Sequence, residues 1–261
     1  IGAYAFYGCT SLTSITIPNG VTSIGNDAFF YCTSLVSITI PDSVTSIDDS
    51  TFYGCTSLTS VVIPDSVTSI GAYAFYGCTS LTSITIPDSV TSICVYAFHG
   101  CTSLVSITIP DGVTSIYDCT FYGCTSLTSI TIPDSVTEIG WYAFYGCTSL
   151  TNVVIPESVK SIGNPWDSNT FFNCPNLKAV TIPSSVEKIG EHSFGYNAYY
   201  YDYEKGEYVS ETVDNFTILG KSGTAAETYA NENGFTFIDL DNKNYNHTDC
   251  LLYTSDAADD L

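Results

Sequence analysis

A single unit of 23 residues repeats along most of this 261-residue chain, and its period constrains the fold more than any other feature. The unit is clearest over 70–92, which reads IGAYAFYGCTSLTSITIPDSVTS. Seven copies run without a gap from Ile1 to Ser161, and an eighth, 162–188, carries a four-residue insertion around 164–168. A fixed period of roughly 20–50 residues is typical of a solenoid, in which each repeat packs against its neighbours. The sequence therefore predicts one quasi-linear array over 1–188.

Within each unit, counted from its first Ile as position 1, seven positions are apolar in nearly every copy. In the fourth copy they are Ile70, Phe75, Cys78, Leu81, Ile84, Ile86 and Val90. Alternation over 81–86 predicts a strand whose isoleucines point inward while Ser83 and Thr85 point outward. We expect 74–77 to form one helical turn that inserts the phenylalanine. One copy cannot bury enough apolar surface to fold alone, so the strands should stack into a parallel sheet.

The strand ends in a turn, and the chain then returns. Proline fixes φ at position 18, and the Asp-Ser pair that follows stabilises a turn through bonds between side chain and backbone. We expect 90–93 to be a short extended segment that leads into the next repeat. Eight or nine such rungs are expected, at a strand spacing of about 4.8 Å.

Charge excludes several partner classes. The chain has six lysines, no arginine and 27 acidic residues, for a formal charge of −21. Nucleic acid and anionic membrane surfaces are disfavoured because both are bound through Lys and Arg. No apolar run approaches the ~18 residues that a membrane-spanning helix needs. The chain starts inside a repeat and contains no methionine, which predicts that its natural N-terminus lies upstream.

Cysteine recurs at position 9 and forms a ladder along the array. Its members are Cys9, Cys32, Cys55, Cys78, Cys101, Cys124, Cys147 and Cys174. Disulfides or a metal site are alternatives, but we favour small buried side chains. Parallel Cβ vectors at the strand spacing do not suit a disulfide, and C-x₂-C metal spacings are absent. Cys94 and Cys119 lie on neighbouring rungs, where a bond between them remains an alternative.

Two polar ladders face outward. Position 19 is acidic in six copies, at Asp42, Asp65, Asp88, Asp111, Asp134 and Glu157. One carboxylate per rung makes a weak calcium site, so we assign these residues to the turn. Positions 14 and 16 give a hydroxyl-rich face at Ser14, Thr16, Ser37, Thr39, Ser60, Ser83, Thr85, Ser106, Thr108, Ser129 and Thr131. This face suits either contact with a glycan or with ice, or ordinary solvated strand residues.

An aromatic stripe at position 7 provides the first group of candidate partner-binding residues. The stripe comprises Tyr7, Phe30, Tyr53, Tyr76, His99, Tyr122, Tyr145 and Phe172, and position 4 adds Tyr4, Tyr73, Tyr96 and Tyr142. Some of these rings must pack between rungs, yet exposed tyrosines are common contact residues at interfaces. The candidates are Tyr53, Tyr76, Tyr122 and Tyr145.

The second candidate group lies in 189–240, which we interpret as a final repeat with a tyrosine-rich insertion and a cap. Tyr199–Tyr203 and Glu207–Val213 are predicted to form a hairpin that stands off the solenoid. Its candidate contact residues are Tyr199, Tyr200, Tyr201, Tyr203 and Tyr208, although the hairpin also suits a role in shielding the end of the core. A capping box at 224–227 predicts a helix to about Asn233, followed by a strand over 235–240.

The remaining segment divides in two. Residues 241–249 are interpreted as a polar linker. Residues 250–259, CLLYTSDAAD, resemble the translation of a transposase-type sequencing adapter. We therefore expect 250–261 to be an assembly artefact and the natural C-terminus to be missing.

Catalysis is not expected. The three histidines, His99, His192 and His247, lie far apart in different contexts, and no nucleophile–base pairing is indicated. The adjacent Asp48 and Asp49 are neighbours on a loop rather than an acid/base pair across a cleft, and no phosphate-binding glycine loop occurs. The sequence therefore predicts no cofactor and no metal site.

The repeat consensus IG..AF.GC.SL.SI.IP.SVT.I resembles the BspA-like leucine-rich-repeat family over 1–188. Leu81-x-x-Ile84-x-Ile86 matches the strand pattern of leucine-rich repeats, and 215–240 is similar to the unit that closes such arrays. The resemblance implies a secreted or cell-surface microbial protein that adheres to host matrix proteins or other cells, and it implies no catalytic residues. The expected function is a non-catalytic binding domain. The alternative is a passive spacer in a larger secreted multidomain protein.

Overall fold

The computed structural model describes residues 1–163 and 168–242 of the chain. It is a parallel-strand solenoid of about nine turns with one short helix near the C-terminal end, so the predicted fold class is confirmed. Most of the predicted insertion, the end of the linker and the whole of the predicted adapter segment lie outside the described residues.

The strands of the array are two to four residues long and stand in two columns. The first column contains β1 Ser37–Thr39, β3 Ser60–Val62, β5 Ser83–Ile84, β7 Ser106–Ile107, β9 Ser129–Thr131, β11 Asn152–Val154, β13 Ala179–Thr181, β17 Thr217–Gly220 and β18 Thr236–Asp239. The second contains β2 Ser46–Ile47, β4 Ser69–Ile70, β6 Ser92–Ile93, β8 Ser115–Ile116, β10 Glu138–Ile139, β12 Ser161–Ile162 and β14 Lys188–Ile189. The first column is the sheet predicted from alternation, and the second is formed by the expected return segment.

All pairs within both columns are parallel, and most join residues one repeat apart. Ile38 pairs with Val61, and Ile70 pairs with Ile93. This register places equivalent side chains directly above one another. As predicted, Ile84 is buried while Ser83 is exposed. Every outward or inward feature of the repeat therefore becomes a continuous column along the solenoid.

A third hydrogen-bonded side replaces the predicted helical turn. In the fourth copy the N–H groups of Tyr73, Phe75 and Gly77 donate to carbonyls of the next rung at 2.7–3.1 Å. The residues between them close i to i−3 turns, and Tyr73 and Gly77 have φ of 58° and 67°. Residues with left-handed φ point every second amide toward the neighbouring rung. In a helix these amides would instead point along the helix axis. The backbone is thus bonded between rungs on all three sides.

Phenylalanine at position 6 forms a stacked column through the core. Phe52, Phe75 and Phe98 are completely buried, with ring centroids 5.4 and 5.3 Å apart and interplanar angles of 14° and 6°. Buried leucine, isoleucine and valine from positions 12, 15, 17 and 21 surround it. Offset stacking at such distances stabilises aromatic pairs beyond the area they bury.

All thiols of the cysteine ladder are free, and all are buried except Cys9, which is exposed at the first rung. The Sγ of Cys78 donates to the Phe52 carbonyl at 3.2 Å, and the same carbonyl accepts the N–H of Cys55 at 3.1 Å. Burial raises the pKa of Cys55 to about 12. The ladder therefore satisfies buried backbone carbonyls, as well as filling small spaces in the core. The extra residues Cys94 and Cys119 are also free thiols.

The final rung carries the hairpin and the cap. The hairpin strands are β15 Tyr196–Asp202 and β16 Glu207–Thr212, and the helix is α1 Ala225–Asn233. The predicted capping box is wrong in its bonds: the Thr224 hydroxyl donates to the Lys221 carbonyl, and Glu227 accepts from the N–H of Gly223. The helix ends at Asn233, as expected, and is capped by Gly234, whose φ is 70°. Ala226, Tyr229 and Ala230 of α1 are buried against the end of the core.

Candidate partner-binding surfaces

The position-7 stripe is a continuous stack of rings. Neighbouring rings from Tyr7 to Phe172 have centroids 4.4–5.3 Å apart and interplanar angles of 2–11°. At this spacing each interior ring has both faces covered by its neighbours. The candidates Tyr53, Tyr76, Tyr122 and Tyr145 are consequently half-buried, and they offer ring edges and hydroxyl groups to solvent rather than ring faces.

The stack changes the ionisation of its members. Burial raises the pKa of Tyr53 and of Tyr122. His99 lies between Tyr76 and Tyr122 with centroids 4.4 and 4.5 Å away, and desolvation lowers its pKa. Its Nδ1 is buried without a hydrogen-bond partner. This histidine is a neutral ring of the stack and shows no arrangement for catalysis.

Tyrosines at position 4 widen the stripe. The backbone at this position is left-handed, with φ of 58° at Tyr73 and 59° at Tyr96, and their rings stack at 4.7 Å. Tyr73 also lies 6.0 Å from Tyr76, and Tyr142 lies 5.4 Å from Tyr145. Positions 4 and 7 therefore form one aromatic surface two rings wide over part of the array.

The hairpin exposes far more tyrosine surface than the stripe. Tyr203 is 90% exposed and Tyr208 65%, and Tyr199, Tyr200 and Tyr201 are also exposed. Tyr199 and Tyr208 stack at 5.2 Å and 10°, while Tyr201 meets Tyr208 edge to face at 5.1 Å. Tyr199, Tyr201 and Tyr208 thus share one face of the hairpin, because cross-strand partners lie on the same side of a sheet.

Local contacts fix the position of this tyrosine face. At its base, the His192 ring lies 4.8 Å from Tyr199. At its tip, Oδ1 of Asp202 accepts the N–H groups of Glu204 and Lys205 at 2.9 and 3.1 Å, and these bonds lower the pKa of the Asp202 carboxyl. On the opposite face, the Tyr200 hydroxyl donates to Glu211 at 3.4 Å. The tyrosines are therefore held on an ordered ribbon.

The outward ladders keep their predicted orientation. The Ser/Thr strand face is exposed along the first column, and the position-19 carboxylates are exposed at the turns. The neighbouring position-20 serine supports the turn: Ser89 Oγ donates to the Val67 carbonyl at 2.6 Å. Across 1–163 and 168–242, no group of three or more His, Cys, Asp or Glu side chains could hold a metal ion.

Sequence reasoning missed two large exposed side chains in the middle of the array. Tyr117 is 44% exposed and Trp141 37% exposed, and both line a surface depression of about 440 Å³ beside the second strand column. They occupy positions 2 and 3, where most other copies have glycine or a small residue. Departure from the repeat consensus is the signal that could have identified them.

The single helix of the described residues, α1, has nine residues, and nothing in this part of the chain has the length and apolar character of a transmembrane helix. The two histidines of the described residues lie in separate environments: His99 belongs to the stack, and His192 packs against Tyr196 and Tyr199. His247 lies outside the described residues.

Known proteins that resemble this chain in structure and in sequence are leucine-rich repeat proteins. A search of curated proteins found no match. A leucine-rich repeat protein from Bacteroides ovatus is similar in structure, with a TM-score of 0.68 and 30% identity over 92% of this chain and 63% of that one. This chain therefore spans less than two thirds of that protein. The leucine-rich repeat protein of T. pallidum has a TM-score of 0.54 and 35% identity, covering 57% of this chain and 70% of its own.

A Eubacterium ventriosum leucine-rich repeat protein, at 21% identity and a TM-score of 0.57, covers 66% of this chain and 57% of its own, and shows the fold alone. The family model described as "BspA type Leucine rich repeat region" matches in six copies over residues 1–87 and 68–200. The matched residues run from the first rung to the start of the hairpin, and β17 and β18 lie beyond them. The chain belongs to the BspA-type leucine-rich repeat family.

Proposed function

We propose that this chain is a non-catalytic binding domain of a secreted or cell-surface protein, and that it contacts other proteins through the tyrosine hairpin. The observation that carries the proposal is the shared face of Tyr199, Tyr201 and Tyr208, extended by Tyr203 at the tip. Such residues combine a large apolar ring with a polar hydroxyl and lose little rotamer freedom on binding. The stacked stripe is a weaker candidate because its ring faces are already covered.

The hairpin also indicates the chemistry of the partner. Asp202, Glu204, Glu207 and Glu211 flank the tyrosines, and Lys205 is the only basic residue between Tyr196 and Thr212. A partner that buries the tyrosines must therefore tolerate or match negative charge. A protein surface with apolar patches ringed by basic groups satisfies both conditions. Host matrix proteins and proteins of other cell surfaces are the partner classes that we infer.

The near-identity of the rungs favours a second function, a passive spacer. A column of equivalent side chains gives the same chemistry at every rung, whereas a differentiated binding face varies along the array. In this alternative the hairpin shields the last rung. The exposed Ser/Thr face would be the contact surface if the ligand were a glycan, since hydroxyl arrays offer both donors and acceptors.

The test is adhesion of beads coated with the chain to purified extracellular-matrix proteins and to cultured host cells. The hairpin variant changes Tyr199, Tyr201, Tyr203 and Tyr208 to serine. The matched control is Tyr31→Gly, which removes a 45% exposed tyrosine outside the hairpin and restores the glycine found at the same position in other copies. Circular dichroism melting checks that all chains retain the solenoid.

We expect the wild type and the Tyr31→Gly control to bind at least one matrix protein or cell type, and the hairpin variant to lose about tenfold or more of that affinity. Equal loss in hairpin variant and control would contradict a role specific to the hairpin. Absence of binding by the wild type across the panel would favour the spacer.

A further inference from the structure

Three departures from the repeat consensus lie close together where the sixth copy of the repeat meets the seventh. Position 2 is Tyr117 where five copies have glycine. Position 3 is Trp141 where two copies have alanine. Position 23 is Glu138 where most copies have serine. Because other copies fold with the consensus residues, the solenoid does not require these three side chains.

The three departures meet around one depression of about 440 Å³. Its lining includes Tyr117, Asp118, Glu138 and Trp141, together with Gly140 at the strand end. A Cβ added at Gly140 would lie 2.5 Å from Oδ1 of Asp118, so the glycine leaves the space that this carboxylate occupies. The same Oδ1 accepts the N–H of Trp141 at 3.0 Å. The carboxylate is thus fixed against the Trp141 backbone, in the depression that Trp141 also lines.

Among residues 1–163 and 168–242, neither carboxylate of this depression has a cationic partner. The ion pairs in the described parts of the chain are Lys205 with Asp202 and Lys221 with Asp241, both near the C-terminal end. In the second strand column, Glu138 pairs with Ser161, which pairs with Lys188. Two strand spacings put that lysine about 10 Å away, beyond contact distance. The negative charge is therefore available to a ligand.

Exposed aromatic rings beside unpaired carboxylates recognise cations. An ammonium or guanidinium group is attracted by the face of tryptophan or tyrosine, and a guanidinium also forms paired hydrogen bonds with a carboxylate. The chain supplies no arginine of its own and carries a formal charge of −21, which attracts basic segments over longer distances. A calcium ion fits less well, because the depression offers two carboxylates where calcium takes about six to eight oxygens.

We propose that the depression formed by Tyr117, Asp118, Glu138 and Trp141 binds an arginine or lysine side chain from a basic segment of a protein partner. The guanidinium or ammonium group packs on the aromatic rings and pairs with the carboxylates. This site is separate from the hairpin and does not depend on the function proposed for it.

The test uses fluorescence anisotropy of a labelled, end-capped hexapeptide of alternating glycine and arginine, titrated with the full chain at about 150 mM salt. A second peptide has citrulline, the neutral counterpart of arginine, at the same places. Two variants, Glu138→Ser and Trp141→Ala, restore residues found at the same positions in other copies and so should fold. Asp65→Asn is the matched control, because it removes one exposed carboxylate at a position where the first copy has asparagine.

We expect saturable binding of the arginine peptide, at least tenfold weaker binding of the citrulline peptide, and a loss of about threefold to thirtyfold in each depression variant. Asp65→Asn should change the affinity less than twofold. Equal binding of both peptides would overturn the proposal. So would an equal effect of Asp65→Asn and Glu138→Ser, which would show attraction by total charge rather than by a site. Absence of saturable binding by the arginine peptide would also overturn the proposal.

Discussion

Truncation of one interior phenylalanine tests the packing of the array most informatively. Phe75 is fully buried and stacks on Phe52 at 5.4 Å and on Phe98 at 5.3 Å. Phe75→Ala removes about 2–3 kcal/mol of transfer free energy and two stacking contacts of roughly 0.5–1.5 kcal/mol each. Because the hydrogen-bonded rungs on either side prevent collapse, a cavity remains. We expect a loss of about 3–5 kcal/mol in the free energy of unfolding.

The matched variant is Phe6→Ala in the first rung. Phe6 is only partly buried and stacks on one ring, Phe29, at 5.0 Å. Its truncation should cost about 1–2 kcal/mol. Urea unfolding followed by circular dichroism measures both variants, and an unchanged m-value shows that the array still unfolds as one unit. A loss below about 1 kcal/mol for Phe75→Ala, or a larger loss for Phe6→Ala, would refute the stacked-core account.

Three further predictions concern the ladders. In the folded chain the exposed Cys9 should react rapidly with a thiol reagent. Cys78 should stay protected until unfolding, because it is buried and its pKa is raised well above 9.0. Peptide mapping by mass spectrometry distinguishes the two cysteines. Gly77→Ala should lower the free energy of unfolding, measured in urea, by about 1 kcal/mol. The cost arises from the φ of 67°, whereas an added Cβ has space, with no atom closer than 3.9 Å. A loss above about 3 kcal/mol would contradict the presence of this space. Because burial lowers the pKa of His99 from 6.5, the folded state disfavours its protonation, so stability is fully present above that pH and falls as the pH drops below it. His99→Phe should therefore lose less stability than the wild type between pH 7.5 and 5, and an equal loss would contradict the assignment.

The period and the apolar positions predict most of the fold. A strand placed by Leu81, Ile84 and Ile86 recurs in every copy, and stacking is the only way such short units can bury their apolar faces. The hairpin was also predictable, because a tyrosine-rich segment and a second strand-like segment flank Glu204-Lys205-Gly206, which favours two strands and a turn. Observed strand ends differ from the predicted ones by a few residues, as expected for frayed boundaries.

Other features of the fold could not be predicted from the sequence and are visible only in the structure. The left-handed backbone of Tyr73 gives no clear signal, because copies place Asp, Ser or Cys at the same position, and glycine is the residue normally expected there. The role of the Cys78 thiol depends on a carbonyl from the preceding rung, which is a contact between residues 26 apart. The covering of ring faces in the tyrosine stripe follows from register, which sets the distance between rings in neighbouring copies.

The candidate surfaces, too, were predictable from the sequence only in part. Composition alone indicates that the hairpin is rich in tyrosine, but only the pairing of its strands shows which rings share a face with Tyr208. The aromatic depression at Trp141 combines residues from two copies. Tyr117 and Trp141 are 24 positions apart in sequence and are brought together by the stacking of neighbouring rungs.

Hydrogen exchange measured by mass spectrometry on the chain, with and without the matrix protein that binds it most strongly, tests the proposed function most directly. If the hairpin is the contact surface, amides in Tyr196–Asp202 and Glu207–Thr212 should exchange more slowly in the complex, while those of the Ser/Thr strand face stay unchanged. Protection confined to the strand face, or no protection at the hairpin in a complex that forms, would contradict the account.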